Sequence, residues 1–268
     1  MDEVKRASSV RDGNVAKIDH LMSAHRDCGD GSRPPQLRYL VCSSPRCGSN
    51  LVGDMLYQSE VAGDPLEYLN PRFIRGWRRE KKIEASAKLS LNTYLEDIEV
   101  RRSTPNGHFG LKAHFEHLFR FEREAERVGF LRRFDRVVFL RRRDKTAQAV
   151  SLHRARVTQV WSSFDRQFLE EGDSRLKQEV AFDPEALMQA LSDLIAQDCG
   201  WKSLLERSGL AYEEFWYENL LADWSGEGGR LMRSLNLPQE RWGSTPTLAR
   251  QGSKDDPFVL RFRGLLGV

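Results

Sequence analysis

One stretch of the sequence carries the side chains of an anion-binding loop, and it runs from Ser43 to Asn50. It lies between an apolar run and a helical pattern, so its backbone N–H groups meet at the positive end of a helix dipole. Gly48 permits close approach of a ligand, and Arg46 adds a fixed positive charge. Ser49 adds a hydroxyl donor. The stretch predicts a phosphate site, and the plainer alternative is a loop whose polar residues only cap the helix.

The order of residues in this loop differs from that of the P-loop in nucleoside triphosphatases. Their GxxxxGK[ST] signature places a lysine directly after the second glycine. Here Gly48 is followed at once by Ser49, and the basic residue, Arg46, comes before the glycine. The sequence therefore argues against a P-loop phosphotransferase, which is the rival hypothesis for an enzyme that binds a nucleotide.

A second cluster of phosphate-binding side chains follows a different apolar run. Arg141, Arg142 and Arg143 come directly after residues 137–140, and Ser151 lies about two turns into the next helical pattern. Arginine forks make bidentate contacts with phosphate oxygens, which suits them to this task. The cluster predicts a second anion site, and the alternative is a solvated basic patch that includes at least one of the three arginines.

The elements that must position these residues can be outlined from apolar runs and cap signals. Strands are predicted at residues 39–42, 109–112, 137–140 and 214–217. Helices are predicted after the first loop, after the N-cap Asp144 to about Trp161, and from Asp183 to Gly209. Strands alternating with helices predict an α/β fold with a central parallel sheet flanked by helices. Both loops then lie at the carboxyl ends of strands, where such sheets bind ligands.

The predicted domain organisation is a flexible N-terminal tail and one folded unit. Residues 1–36 are polar and close with Arg33-Pro34-Pro35. We expect them to form a mobile tail with one short helix at Val15–Met22. Residues 37–268 are expected to form a single α/β domain.

Composition argues against several classes of protein. The net charge of +3, from 42 basic and 39 acidic residues, is too small for a typical non-specific nucleic-acid binder. The four cysteines have no paired spacing, which disfavours a zinc site or a disulfide framework and favours a reducing compartment. No apolar run approaches the roughly 20 residues of a membrane span, and no signal peptide is evident. We therefore expect a cytoplasmic protein without metal, nucleic-acid or integral membrane contacts.

Several collinear segments resemble the Stf0 family of bacterial sulfotransferases. The loop from Pro45 to Asn50 is similar to the phosphosulfate loop [PQ]-[KR]-x-G-[ST]-[TN] of enzymes that use 3′-phosphoadenosine 5′-phosphosulfate (PAPS). Residues 143–155 are similar to the family's R-x-D-x-x-x-Q-A-V-S-x-x-R-A stretch. Further matches are Val61–Tyr68, Thr104–Gly107 with Gly110 and Lys112, Val160-Trp161, and Arg250-Gln251 with Arg261. The resemblance spans about residues 37–263.

This resemblance implies a P-loop-NTPase-like sulfotransferase fold that binds PAPS as co-substrate and needs no metal. The 5′-phosphosulfate would lie on the first loop and the 3′-phosphate on the second cluster. Arg142 best matches the arginine that holds the 3′-phosphate in the family, and Arg143 is the alternative. The implied nucleotide-binding residues are Arg46, Cys47, Gly48, Ser49, Asn50, Arg142 and Ser151.

The resemblance also implies the catalytic groups. The family's general base is the Glu of a G-[ED]-P-x-E pattern, which here is Glu67. We expect its pKa to be raised by apolar neighbours such as Leu66 and Tyr68, which would suit a base. His114 is the alternative base. Arg46 would neutralise charge on the phosphosulfate, and Lys112 either faces the sulfate or is an ordinary strand-end lysine.

The residues implied on the acceptor side are Pro45, Asp64, Pro65, Asn70 and Trp77. Three of them, Pro45, Asp64 and Asn70, replace Gln, Glu and Gln of the trehalose-sulfating members, which argues against trehalose itself. Trp77, together with Pro71, is expected to flank a sugar ring. The resemblance thus implies transfer to a hydroxyl group of a carbohydrate or glycolipid, and it leaves a homodimer open. A protein that binds the nucleotide without turnover is the third hypothesis.

Overall fold

Four parallel strands form the central sheet of the computed structural model, which describes residues 15–29, 31, 33–84, 86–245, 248 and 255–268. The strands lie in the order β2-β1-β3-β4. Their bounds are β1 Leu37–Ser43, β2 His108–His114, β3 Arg136–Arg141 and β4 Glu213–Trp216. Each neighbouring pair is parallel. The predicted α/β class, the parallel sheet and all four strand positions are confirmed.

Helices cover both faces of this sheet. Residues 15–22 form α1. The other helices in the described part of the chain are α2 Ser49–Gln58, α3 Pro71–Glu80, α4 Leu91–Arg102, α5 Glu124–Leu131, α6 Lys145–Thr158, α7 Pro184–Ser208, α8 Tyr217–Ala222, α9 Trp224–Ser234 and α10 Pro257–Leu266. The predicted caps are confirmed, since Asp144 and Asp183 accept hydrogen bonds from the first turns of α6 and α7.

The alternation of side chains along β1 explains why two layers of helices are needed. Leu40 and Cys42 join one apolar cluster, with side chains of α1, α3, α4 and α7. Tyr39 and Val41 join a second cluster, with side chains of α2, α8 and α9. Successive strand residues point to opposite faces, so a strand that is apolar throughout must be covered on both sides. The short apolar runs in the sequence therefore correspond to buried strands.

The strand register brings the predicted site residues to one edge of the sheet. Ser43, the last residue of β1, pairs with His114 of β2 and with Leu140 of β3. Arg141 of β3 pairs in turn with Trp216 of β4. Because all four strands run in the same direction, the segments that follow them emerge side by side. The carboxyl edge of the sheet is thus the place where the two predicted anion sites can meet.

The described part of the predicted tail packs against the domain. Its helix at residues 15–22 is as predicted, but Ile18, Leu21 and Met22 are buried in the first apolar cluster. A Cβ on Gly76 of α3 would lie 2.5 Å from Cγ2 of Ile18, so the two helices are in close contact there. This packing corrects the expectation of a flexible tail for residues 15–29. Residues 1–14 of the predicted tail lie outside the described residues.

Candidate functional site

A cavity of about 730 Å³ opens at the carboxyl edge of the sheet. Its volume falls within the roughly 300–1,000 Å³ that is typical of ligand pockets. Most residues predicted for the site line this one cavity: Pro45, Arg46, Gly48, Ser49, Asn50, Asp64, Pro65, Glu67, Asn70, Lys112, His114, Arg142 and Ser151. The fold therefore brings together residues that are as much as a hundred positions apart in the sequence.

The loop after β1 is shaped by Gly48 and anchored from outside the cavity. Gly48 precedes α2 with a φ of +90°, a conformation that favours glycine. A Cβ on this residue would also lie 2.5 Å from Cδ2 of Tyr217. Gln148 of α6 donates to the carbonyl oxygen of Pro45 at 2.7 Å, and the hydroxyl of Ser44 donates to Asp198 of α7 at 2.7 Å. The loop is thus fixed with the N-terminus of α2 facing the cavity, as an anion site requires.

The side chain of Arg46 joins the two predicted anion sites. Its Nε donates to the hydroxyl of Ser151 on α6 at 3.0 Å, and its Nη1 donates to the carbonyl oxygen of Trp161. Burial lowers the pKa of Arg46 to about 10; the carboxylate of Asp165 opposes this shift and the charge of Arg142 adds to it. A guanidinium with a pKa of about 10 stays protonated at neutral pH. Its charge is therefore placed among buried groups, where an anion would be attracted strongly.

Arg142 lies directly beside Arg46. Its Nη1 donates to the carbonyl oxygen of Arg46 at 3.3 Å, and its guanidinium lies 5.1 Å from the ring centroid of Tyr217. Arg142 Nε is buried without a hydrogen-bond partner, and so is Nε1 of Trp161, which lines the same cavity. Buried donors are nearly always paired in native proteins. Both side chains line the cavity, where acceptor oxygens of a ligand could pair with them.

The two neighbouring arginines face elsewhere. Arg141 forms ion pairs with Asp198 at 3.5 Å and with Glu214 at 3.1 Å. Arg143 is exposed and donates to Asn219 at 2.7 Å. Neither of them lines the cavity. The geometry therefore favours Arg142 over Arg143, the alternative that the sequence left open.

Glu67 also lines the cavity, where a lysine, two histidines and an amide N–H group surround its carboxylate. Its Oε1 is 3.2 Å from Nζ of Lys112 and 3.4 Å from Nε2 of His114. Asn70 donates to its Oε2 at 3.3 Å. Lys112 Nζ also contacts Oδ1 of Asn50, in the first turn of α2. Lys112 thus bridges the anion loop and the candidate base.

These neighbours overturn the expected direction of the pKa shift of Glu67. Burial alone would raise the pKa of this carboxyl, but Lys112 and His114 more than offset it and hold the pKa well below its usual range. The expectation of a raised pKa was wrong because it considered only the apolar neighbours in the sequence. At neutral pH, Glu67 is an anion that can accept a proton.

The two histidines next to Glu67 have different surroundings. His114 Nδ1 is 3.0 Å from the hydroxyl of Ser43. His117 accepts the backbone N–H of His114 at its Nδ1, at 3.1 Å, and burial lowers the pKa of His117 to about 3. His117 is therefore neutral and carries its proton on Nε2. It lines the cavity beside His114, and no sequence motif marks it as a site residue.

Three residues predicted for nucleotide or acceptor binding are engaged within the protein. Asp64 is buried and forms ion pairs with Arg26 at 2.6 Å and Arg102 at 3.6 Å. Asn70 caps α3 by accepting the N–H of Arg72 at 3.0 Å, while its amide nitrogen donates to Glu67. Cys47 is buried in the second apolar cluster, and its side chain does not line the cavity.

Trp77 does not belong to the cavity. Its ring lies in the first apolar cluster, at 5.2 Å and nearly perpendicular to the ring of Tyr94. Its indole N–H donates to Asp97 at 2.7 Å. The prediction that Trp77 flanks a sugar ring is corrected, since α3 turns this side chain towards α4. Pro71 does line the cavity.

Several cavity residues were missed by the reasoning from sequence. They are Lys17, Ile18, Leu21, Arg26, Phe119, Arg120, Phe164 and Tyr217. The first four belong to the segment taken for a flexible tail. Lys17 pairs with the buried carboxylate of Asp165, whose Oδ2 also accepts the backbone N–H groups of Trp161 and Ser162. No motif marks these residues, because their partners lie far away in the sequence. The predicted matches at Arg250 and Gln251 lie outside the described residues.

Two features are absent from the described residues. They contain no group of three or more His, Cys, Asp or Glu side chains arranged to hold a metal ion. None of the helices described is both long enough and apolar enough to cross a membrane.

Comparison with known proteins yields one family. The family model described as Stf0 sulphotransferase matches residues 38–264. No protein with a curated description shows a significant match. Among solved structures, the sulfotransferase STF9 from Mycobacterium avium aligns with a TM-score of 0.43 and 13% identity, over 98% of this chain and 76% of that one. A sulfotransferase from Alicyclobacillus acidocaldarius aligns with a TM-score of 0.42 and 11% identity, over 88% of this chain and 96% of that one.

Proposed function

Because the chain belongs to the Stf0 sulphotransferase family and is a sulfotransferase, we propose that it transfers the sulfuryl group of PAPS to a hydroxyl group of a carbohydrate or glycolipid. The observation that carries this proposal is the arrangement of charge in one cavity. Arg46 and Arg142 lie beside each other, Lys112 contacts both Asn50 of the anion loop and Glu67, and all of these residues line the same cavity. A nucleotide with two separated anionic groups and an acceptor hydroxyl match these positions.

The 3′-phosphate is proposed to bind between Arg142 and Ser151. Arg142 Nε offers a buried donor without a partner, and the hydroxyl of Ser151 is 3.0 Å from Nε of Arg46. A phosphate at this place would accept from Arg142 and Ser151 together. Charge-assisted bonds of this kind are about twice as strong as neutral ones. This pocket would therefore distinguish 3′-phosphorylated nucleotides from others.

The 5′-phosphosulfate is proposed to bind along residues 46–50. The N-terminus of α2 begins there, at Ser49, after the left-handed Gly48. Lys112 approaches from β2 and contacts Asn50. A cation at this point would stabilise the charge that develops on the bridging oxygen as the sulfuryl group departs. The group to be transferred would then lie between the loop and Glu67.

The proposed transfer is an in-line displacement with Glu67 as general base. The acceptor hydroxyl oxygen forms a bond to sulfur while the bond from sulfur to the 5′-phosphate oxygen breaks, and 3′,5′-ADP leaves with the electron pair. The hydroxyl proton moves to the carboxylate of Glu67, which is ionised because its pKa is held low. A low pKa makes the carboxylate a weaker base, but positioning and charge neutralisation dominate reactions of this class.

Thermal unfolding with different nucleotides tests the proposal directly. A ligand that binds only the native state stabilises it by about 2.7 kcal/mol at 100 times its Kd. We expect 3′,5′-ADP to raise the midpoint and ATP with Mg²⁺ to have little effect. Stabilisation by ATP with Mg²⁺ alone would favour a phosphotransferase instead. Transfer of label from PAPS to a sugar or glycolipid would separate an enzyme from a protein that only binds the nucleotide.

A further inference from the structure

The cavity has an apolar wall to which several elements contribute. The apolar side chains that line it are Ile18, Leu21, Leu69, Phe73, Phe119 and Phe164. Ile18 and Leu21 come from α1, and Phe73 comes from α3, whose Asn70 cap contacts Glu67. This wall is therefore next to the candidate base. Whatever presents its hydroxyl group to Glu67 must rest against it.

Several of the polar side chains that line the cavity are already engaged within the protein. The two carboxylate oxygens of Asp64 accept from Nε and Nη2 of Arg26, at 3.0 and 2.6 Å. The side chain of Asn70 is used at both its oxygen and its nitrogen. Pro45 offers no side-chain hydrogen bond. A free polyol has many hydroxyl groups that would lose water here, and buried hydroxyls without partners are costly.

One exposed aromatic ring extends this apolar wall to the protein surface. Phe119 lies in the short turn Phe115–Arg120 that follows β2, and it is 62% exposed. It lines the cavity, as do the charged side chains of Arg72 and Glu116 near the same opening. An exposed large aromatic at the rim of an apolar pocket is a common feature of sites that bind apolar groups. The wall thus continues from the interior to the surface.

From these observations we infer that the acceptor carries an apolar chain or ring system next to its reactive hydroxyl group, as an alkyl glycoside or a glycolipid does. The hydroxyl-bearing part lies at Glu67, and the apolar part lies along α1, α3 and the Phe119 turn. A free sugar has no apolar group to place against this wall. The inference rests on the proposed function, since it assumes that Glu67 receives the proton of the acceptor.

The N-terminal segment is then a determinant of acceptor choice. Ile18 and Leu21 form part of the wall, and the Lys17–Asp165 pair ties α1 to the turn Ser163–Phe168 that carries Phe164. Ile18 and Leu21 are apolar and cannot form hydrogen bonds with the phosphate groups of the nucleotide. Substitutions in this segment should therefore change the affinity for the acceptor more than the affinity for the nucleotide.

Binding of methyl and octyl β-glucoside, the latter below its micelle-forming concentration, tests the inference by calorimetry with and without saturating 3′,5′-ADP. Each methylene that is buried strengthens binding by about fourfold. We expect octyl glucoside to bind at least about tenfold more tightly than methyl glucoside, since more than one methylene would be buried. Equal affinities, or no measurable binding of octyl glucoside, would overturn the inference. Failure of 3′,5′-ADP to bind would instead count against the proposed function.

A pair of surface variants tests whether the preference for octyl glucoside arises from this apolar wall. Phe119→Ser should reduce the preference for the octyl chain by about threefold or more, because part of the apolar surface is removed. Leu265→Ser changes a residue that is similarly exposed, at 61%, and that does not line the cavity, so the preference should be unchanged. Both side chains are largely in solvent, and both variants should fold. An unchanged preference in Phe119→Ser, or an equal loss in Leu265→Ser, would contradict the inference.

Discussion

Arg142 differs from both of its neighbours in what its guanidinium meets. Acidic side chains pair with Arg141, and Asn219 contacts Arg143, whereas Arg142 turns into the cavity with a buried Nε that has no partner. The sequence presents three arginines in a row and cannot rank them by chemistry. Only the positions of Asp198, Glu214 and other distant residues decide which cation is available to a ligand.

Arg142→Ala should weaken binding of 3′,5′-ADP by roughly 10- to 100-fold, because hydrogen bonds to charged groups contribute about 1.5–3 kcal/mol. Binding of 5′-ADP, which lacks the 3′-phosphate, should change much less. Isothermal titration with the two nucleotides measures both effects. Arg143→Ala is the matched control, and its affinity for 3′,5′-ADP should stay close to that of the unchanged protein. Equal losses for both nucleotides would remove Arg142 from the proposed 3′-phosphate site.

Glu67→Gln should retain nucleotide binding and lose transfer activity by about 10²- to 10⁴-fold, the usual contribution of a general base. The amide keeps the size of the side chain and cannot take the proton. Titration with 3′,5′-ADP and a transfer assay with labelled PAPS give the two readings. His114→Asn is the comparison, since His114 is the alternative base. A larger loss of transfer in His114→Asn than in Glu67→Gln would reverse the assignment.

The pH profile of the same reaction follows from the low pKa of Glu67. A base is active when it is deprotonated, so kcat/KM falls only when the pH drops towards the pKa of the carboxyl. Lys112 and His114 hold that pKa below its usual range of about 4.3. We therefore expect kcat/KM to show no acid limb between about pH 5 and pH 7. A fall in activity on acidification through neutral pH would argue for a different base.

At the scale of the elements, strands and caps were predictable where the signal is local. Residues 137–140 are apolar without interruption, and a strand buried on both faces needs that pattern. Asp183, Pro184 and Gly209 mark both ends of α7 by side-chain and backbone chemistry that acts within a few residues. The anion loop was predictable for the same reason.

The elements and contacts that were mispredicted depend on distant partners. Ile18, Leu21 and Met22 have the spacing of a helix face, but the surrounding residues are polar and the surface that they cover lies on α3. Trp77 was assigned to a ligand because aromatic rings pack well on sugars, but its partners in the structure are Tyr94 and Asp97 of α4. The pKa of Glu67 depends on Lys112, which lies on β2. Such contacts exist only once the chain has folded.

The turn from β1 into α2 gives a prediction that belongs to the element. Gly48→Ala introduces a Cβ at a φ of +90° and 2.5 Å from the ring of Tyr217. Gly209→Ala, at the end of α7, also has a positive φ, of +70°, but its Cβ would have no atoms within 4 Å. The left-handed backbone alone costs about 1–2 kcal/mol in a residue with a Cβ. Urea unfolding should show this cost in Gly209→Ala and a larger one in Gly48→Ala.

The two glycine variants should also differ in function. Gly48→Ala should weaken 3′,5′-ADP binding, because the loop and Tyr217 must shift to admit the new methyl group. Gly209→Ala is remote from the cavity and should bind the nucleotide normally. If Gly48→Ala were no less stable than Gly209→Ala, the close packing of the loop on Tyr217 would be disproved.

At the scale of the whole molecule, two ion pairs connect the N-terminal segment to the domain in contrasting surroundings. Arg26 meets Asp64, a carboxylate that is 1% exposed, and its guanidinium also lies 3.5 Å from the ring centroid of Tyr57. Asp19 meets Arg79 at the surface, where both side chains are more than 40% exposed. Both residues of the first pair line the cavity, and the second pair lies in solvent. Removing the arginine of each pair therefore measures how much the packing of this segment contributes to the stability of the protein.

Arg26→Ala should destabilise the protein by about 3 kcal/mol, because the partner charge is left buried. Arg79→Ala should destabilise the protein by at most about 1 kcal/mol, because an exposed ion pair contributes little to stability. Burial already raises the pKa of Asp64, although Arg26 and Arg102 oppose the shift, and without Arg26 the pKa rises further. A carboxyl group whose pKa is raised in the folded protein lowers stability at pH values above its ordinary pKa. The difference in the free energy of unfolding between Arg26→Ala and the unchanged protein should therefore shrink as the pH falls. Urea unfolding between neutral and acidic pH measures this trend. Equal and pH-independent costs for the two variants would mean that the segment rests on the surface and takes no part in the core.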